Sequence, residues 1–98
     1  MDIISEIEFS GPIWKWVGPA PFYFVTIPDS QSKKLKAISK LVSYGWGMIP
    51  VSAKVGATEW KTSLFPQEDQ YVLPLKKVVR EAEGLSERDT VTVILKIG

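Results

Sequence analysis

The sequence predicts a mainly β fold with two short helices: a small barrel formed by two pseudo-repeated halves of one chain. Three observations carry this expectation. Ile49, Val51, Ala53 and Val55 alternate with other residues, as do Val91, Val93, Leu95 and Ile97, and that is the period of half-buried strands. Val25-Thr26-Ile27-Pro28, followed by a helix and a strand, is echoed by Tyr71-Val72-Leu73-Pro74, again followed by a helix and a strand. Each half is too small to bury its helix and sheet faces alone, so two halves interleaved would close one cylinder.

In chain order, Ile3 to Phe9 reads as the first strand, with Ile3, Ser5, Ile7 and Phe9 on one face. Ser10-Gly11-Pro12 reads as its end, and Trp14-Lys15-Trp16-Val17 as either a continuation or a loop. Gly18-Pro19-Ala20-Pro21 stops regular structure. Phe22 to Ile27, rich in aromatic and β-branched residues, is the second strand, and Pro28 ends it. Asp29-Ser30-Gln31-Ser32 supplies N-cap candidates for a helix from about Ser32 to Ser43. Leu35, Ile38, Leu41 and Val42 follow its apolar spacing, and Lys33, Lys34, Lys36 and Lys40 read as its solvated face.

Gly45-Trp46-Gly47 reads as a turn. Ile49 to Val55 is a strand, Gly56-Ala57 a tight turn, and Thr58 to Phe65 pairs back as a hairpin. Thr58, Trp60, Thr62 and Leu64 share one face of that strand. Pro66-Gln67-Glu68-Asp69 reads as a polar loop before the Tyr71 strand. Pro74 reads as the first residue of a short helix, because that position needs no amide donor. Leu75, Val78, Val79 and Ala82 form its apolar face, and Gly84 is its left-handed stop. The alternating Val91 strand closes the chain.

Composition narrows the chemistry. A chain of 98 residues with 45% hydrophobic content suggests one domain with its own core. It has no Cys, hence no disulfide and no thiolate chemistry. It has no His, hence no imidazole base and no histidine-ligated zinc. No apolar run approaches the roughly 20 residues that span a bilayer. The acidic start, Met1-Asp2-Ile3-Ile4-Ser5-Glu6, lacks the basic and apolar regions of a signal peptide, so a cytoplasmic location is expected and a membrane is not. The net charge of +1 does not favour nucleic acid as a partner.

The run Gly45-Trp46-Gly47-Met48-Ile49-Pro50-Val51-Ser52-Ala53-Lys54-Val55-Gly56-Ala57-Thr58-Glu59-Trp60-Lys61-Thr62-Ser63-Leu64-Phe65-Pro66 continues in Tyr71-Val72-Leu73-Pro74-Leu75-Lys76-Lys77-Val78-Val79-Arg80-Glu81-Ala82. Together these residues resemble the bacterial and archaeal family numbered 1905 among the domains of unknown function. Phe9, Tyr23-Phe24-Val25 and Ile27-Pro28 also fit, so the resemblance covers nearly the whole chain. It implies a double-split β-barrel, the architecture shared with AbrB-like transcription regulators, here with both halves supplied by one chain. The family usually shows Gly where this chain has Arg88, and often Gly where it has Ala57. It carries no established activity, so the resemblance transfers no catalytic residue.

The candidate constellation is Lys76, Lys77 and Arg80 with the Lys61-Thr62-Ser63 strand. Lysines in a helix's first turn oppose its dipole, which prefers anions there, and Lys76 and Arg80 share a face at i, i+4. A positive helix start with free amides suits a phosphate or carboxylate. The simpler reading is solvated charge, with Lys77 paired to Glu81.

Aromatic residues, 11% of the chain, mainly fill a small core. Trp46 between glycines, and Trp14 and Trp16 beside the Gly/Pro segment, are better placed for a ligand or partner. A pocket edged by Trp46, Trp60 and Arg80 is one expectation. Glu68-Asp69 and Glu87 with Asp89 are too few for an oxygen-ligated metal, so no metal or cofactor is expected. Ser63 as a nucleophile would have only Lys61 or Lys76 as its base. The favoured reading is a binding module for a small anionic or aromatic ligand or a protein partner. An AbrB-like DNA-binding regulator is the alternative, and an enzyme with Lys/Ser chemistry a third.

Overall fold

The computed structural model describes residues 5–19, 22–42 and 47–97. Six strands form a closed barrel, β1 (Ser5–Trp16), β2 (Phe22–Thr26), β3 (Ile49–Val55), β4 (Thr58–Gln67), β5 (Gln70–Pro74) and β6 (Thr90–Ile97). Helix α1 (Asp29–Val42) joins β2 to β3, and α2 (Lys77–Glu83) joins β5 to β6.

Neighbours run in the order β1-β2-β5-β4-β3-β6, closed by an antiparallel β6–β1 pair. Exchanging β1-β2-α1-β3 for β4-β5-α2-β6 maps this ring onto itself. The halves interleave: β3 lies between β4 and β6, and β6 lies between β1 and β3. Neither β3 nor β6 has a partner from its own half, so neither half is a complete sheet. This is the double-split barrel of the sequence reading.

Inward positions carry the core. Ile49, Val51, Ala53, Val55, Val91, Val93, Leu95 and Ile97 are all buried. Ala53 stands opposite Trp60, and the small residue leaves room for the indole inside the barrel. Gly56, at φ 59, opens the β3–β4 turn, and Ala57 keeps a negative φ, the pattern of a II′ hairpin.

Several sequence expectations change. Ser10-Gly11-Pro12 does not end β1. The strand pairs with β6 through Pro12 and with β2 from Ile13, so these residues form the corner where β1 passes between sheets. A Cβ on Gly11 would lie 3.4 Å from Val25 Cγ1, so the corner is closely packed.

Helix α1 begins at Asp29 rather than Ser32. The Ser32 amide already bonds the Pro28 carbonyl at 2.8 Å. Ser32 therefore does not cap. Its buried hydroxyl donates to the Ile27 carbonyl (2.9 Å) and accepts from the Tyr71 amide (3.2 Å), tying α1 to β5. Leu35 is fully buried beneath α1, while Lys33, Lys34 and Lys36 face solvent.

Strand β4 continues to Gln67, which pairs with Gln70, so the polar loop shrinks to Glu68-Asp69. Finally, Pro74 ends β5 opposite Phe24 instead of starting a helix. The Leu75 amide bonds the Tyr23 carbonyl at 2.9 Å, which holds the chain extended for one more residue. Helix α2 then starts at Lys77 and has two turns. Leu75 and Val79 are buried, but Val78 is 67% exposed and Ala82 is also exposed, so the buried stripe is narrower than the sequence spacing suggested. Gly84 (φ 63, ψ 38) closes the helix, and the Leu85 amide bonds the Arg80 carbonyl at 2.8 Å.

The outside of the barrel is chemically divided. Across β3, β4, β6 and the start of β1, the register places Lys54 opposite Glu59, Ser52 opposite Lys61 and Lys96, and Glu6 opposite Lys96. Across β1, β2, β5 and the end of β4, it places Trp14 opposite Phe24, Trp16 opposite Phe22, and Phe65 opposite Val72.

Candidate functional site

A cavity of about 600 Å³ lies where β2, β5 and α2 meet. Strand β2 contributes Phe22 and Tyr23, β4 contributes Thr62, and the end of β5 contributes Pro74. Leu75, Lys76, Lys77 and Arg80 complete the lining. The Leu75–Tyr23 backbone bond sets this arrangement, because it fixes the start of α2 against the end of β2.

Arg80 is the most constrained cation. Its guanidinium carbon sits 3.8 Å from the centroid of the Tyr23 ring, a close cation–π stack. Its Nε is buried and has no hydrogen-bond partner among the described residues. The Lys15 ammonium lies 5.8 Å from the same ring. Lys76 and Lys77 are exposed at the helix start. Among the described residues, no carboxylate lines the cavity.

The structure thus brings together Lys76, Lys77 and Arg80 of the sequence-based constellation, with Thr62 from the strand beside them. Lys61 and Ser63 alternate onto the other face of β4, opposite Ser52 and Pro50. Trp60 lies in the barrel core, with its indole nitrogen buried and unpartnered among the described residues. Trp46 lies outside the described residues. Sequence reasoning missed Tyr23. It reads as an ordinary strand aromatic, and only the β2–β5 ladder carries it to Arg80.

A family model described as a domain of unknown function (DUF1905) matches residues 9–95. The chain belongs to this family. No curated protein matches the chain. Among the described residues, no helix is long and apolar enough to cross a membrane, and no group of three or more acidic residues gathers as a metal site. The dipole argument for α2 weakens in the structure, because the helix has only seven residues.

Proposed function

We propose that this barrel is a binding module for a small anion held in the cavity between β2 and α2. One observation carries the reading: three cationic side chains line a concave site that, among the described residues, no carboxylate lines. Arg80 supports it further. Its guanidinium is stacked on the Tyr23 ring at 3.8 Å, which holds the cation at the cavity wall beside the two lysines. The hydroxyls lining the cavity, on Tyr23 and Thr62, have neither carboxylate nor imidazole beside them, so the geometry favours binding over catalysis.

Thermal denaturation with phosphate, pyrophosphate and citrate at constant ionic strength tests this. At a concentration about 100 times Kd, a native-state ligand adds about 2.7 kcal/mol, which would raise Tm by roughly 10–20 °C in a domain this size. The exposed variants Lys76→Gln and Lys77→Gln should each weaken binding about tenfold, because each removes a charge-assisted contact. Equal melting with and without every anion would refute the proposal. Duplex DNA belongs in the same series: retention that falls steeply with salt would reassign these cations to phosphate-backbone contacts, as the AbrB resemblance implies.

A further inference from the structure

Phe22 lines two hollows. One is the cationic cavity; the other is an open groove of about 320 Å³ on the aromatic outer face of the barrel. The groove is walled by Trp14, Trp16, Phe24, Phe65 and Val72 besides Phe22. Trp16 is 46% exposed and Phe22 52%, so the fold leaves large rings facing solvent immediately beside a cluster of cations. We propose that the ligand of the cavity is an amphiphilic anion, with its acidic group among Lys76, Lys77 and Arg80 and a planar aromatic body passing Phe22 into the groove. This rests on the anion-binding reading of the cavity given above.

The chemistry of the groove selects the body of the ligand. Successive ring centroids lie 5.0 Å apart for Trp14–Phe24, 6.4 Å for Phe24–Phe22 and 6.1 Å for Phe22–Trp16. They form one continuous π surface. The Trp14 indole N–H is engaged, donating to Thr26 Oγ1 at 2.9 Å. Besides the tryptophans, Gln67 brings the groove's only polar side chain among the described residues. Such a surface rewards a flat apolar ring and offers little to a hydroxylated one such as a sugar. Charge complementarity orients the ligand, because the cations lie at the Phe22 end. The Trp16 ring folds back over Gly18, where the missing Cβ leaves room for it.

Titration of the full chain with inorganic phosphate, phenyl phosphate, 1-naphthyl phosphate and neutral 1-naphthol, read by tryptophan fluorescence and Tm, tests the inference. The expected order is naphthyl above phenyl above inorganic phosphate, with the first at least about tenfold tighter than the last. Trp16→Leu, at an exposed position, should bring the naphthyl-to-inorganic ratio down towards one. Equal affinity of naphthyl and inorganic phosphate would overturn the amphiphile and leave the anion site standing. Absence of binding by every phosphate would remove both. Naphthol binding as tightly as naphthyl phosphate would overturn the proposal by removing the role of the cations.

Discussion

Replacing Arg88 with glycine should stabilise the barrel. Arg88 has φ 78, in the left-handed region that L side chains avoid. Its amide donates to the Ile13 carbonyl at 2.8 Å, and the neighbouring Asp89 carbonyl accepts from the Ile13 amide at 2.8 Å. This pair of bonds sits at the corner of β1 and holds the strained residue in place. The Arg88 side chain is exposed, so glycine gives up no packing and keeps the backbone bond. Left-handed geometry costs an L residue about 1–2 kcal/mol. Glycine returns roughly 0.5–1 kcal/mol of that through its greater freedom when unfolded. The net gain is about 0.5–1 kcal/mol, or roughly 2–8 °C in Tm. Arg88→Ala is the control, since it removes the charge and keeps the strain. Urea denaturation of the three proteins should give a higher midpoint for glycine at unchanged slope, and a near-native midpoint for alanine. A glycine variant no more stable than the alanine one would refute the argument. The resemblance to the family places glycine at this same position.

Three further substitutions probe other joints. Ser32→Ala leaves the buried Tyr71 amide unpaired and should cost about 1–3 kcal/mol in urea denaturation, whereas a loss below about 0.5 kcal/mol would contradict the link between α1 and β5. Gly56→Ala meets two obstacles, φ 59 and a Cβ only 2.2 Å from a Glu83 carboxylate oxygen, and should lower stability by at least about 1 kcal/mol. Adding Glu83→Ala should not restore the Tm, because it relieves only the contact with a flexible carboxylate and also removes the hydrogen bond that Thr58 Oγ1 donates to Glu83 Oε2 at 2.6 Å; full recovery would mean that the backbone angle is unstrained. Glu68→Gly, at φ 54 in the β4–β5 turn, should raise Tm by a few degrees for the same reason as Arg88→Gly.

Where one face of a strand is buried along its length, the sequence is an adequate guide. The alternating residues of β3 and β6 all turn inward, and the repeated strand-helix-strand units are the ones that interleave. The readings that changed all depend on a distant partner. Gly11-Pro12 looks like a stop locally, yet β6 and β2 pair on either side of it and make it a corner. Pro74 looks like a helix start, yet the Tyr23 carbonyl captures the next amide and keeps the chain in the sheet. The same long-range bond separates the legible part of the site from the hidden part. Lys76, Lys77 and Arg80 cluster by helical spacing alone, so the sequence shows them together. Nothing near Tyr23 in the chain announces that an arginine will lie on its ring.

The claim that Lys76, Lys77 and Arg80 form an anion site is tested most directly by nitrogen-edited NMR during a phosphate titration at fixed ionic strength. Saturable shifts should appear in the backbone amides of residues 22–23, 62 and 75–80, which surround the cavity. Unmoved amides there, or changes spread evenly over the exposed lysines of α1, would contradict it.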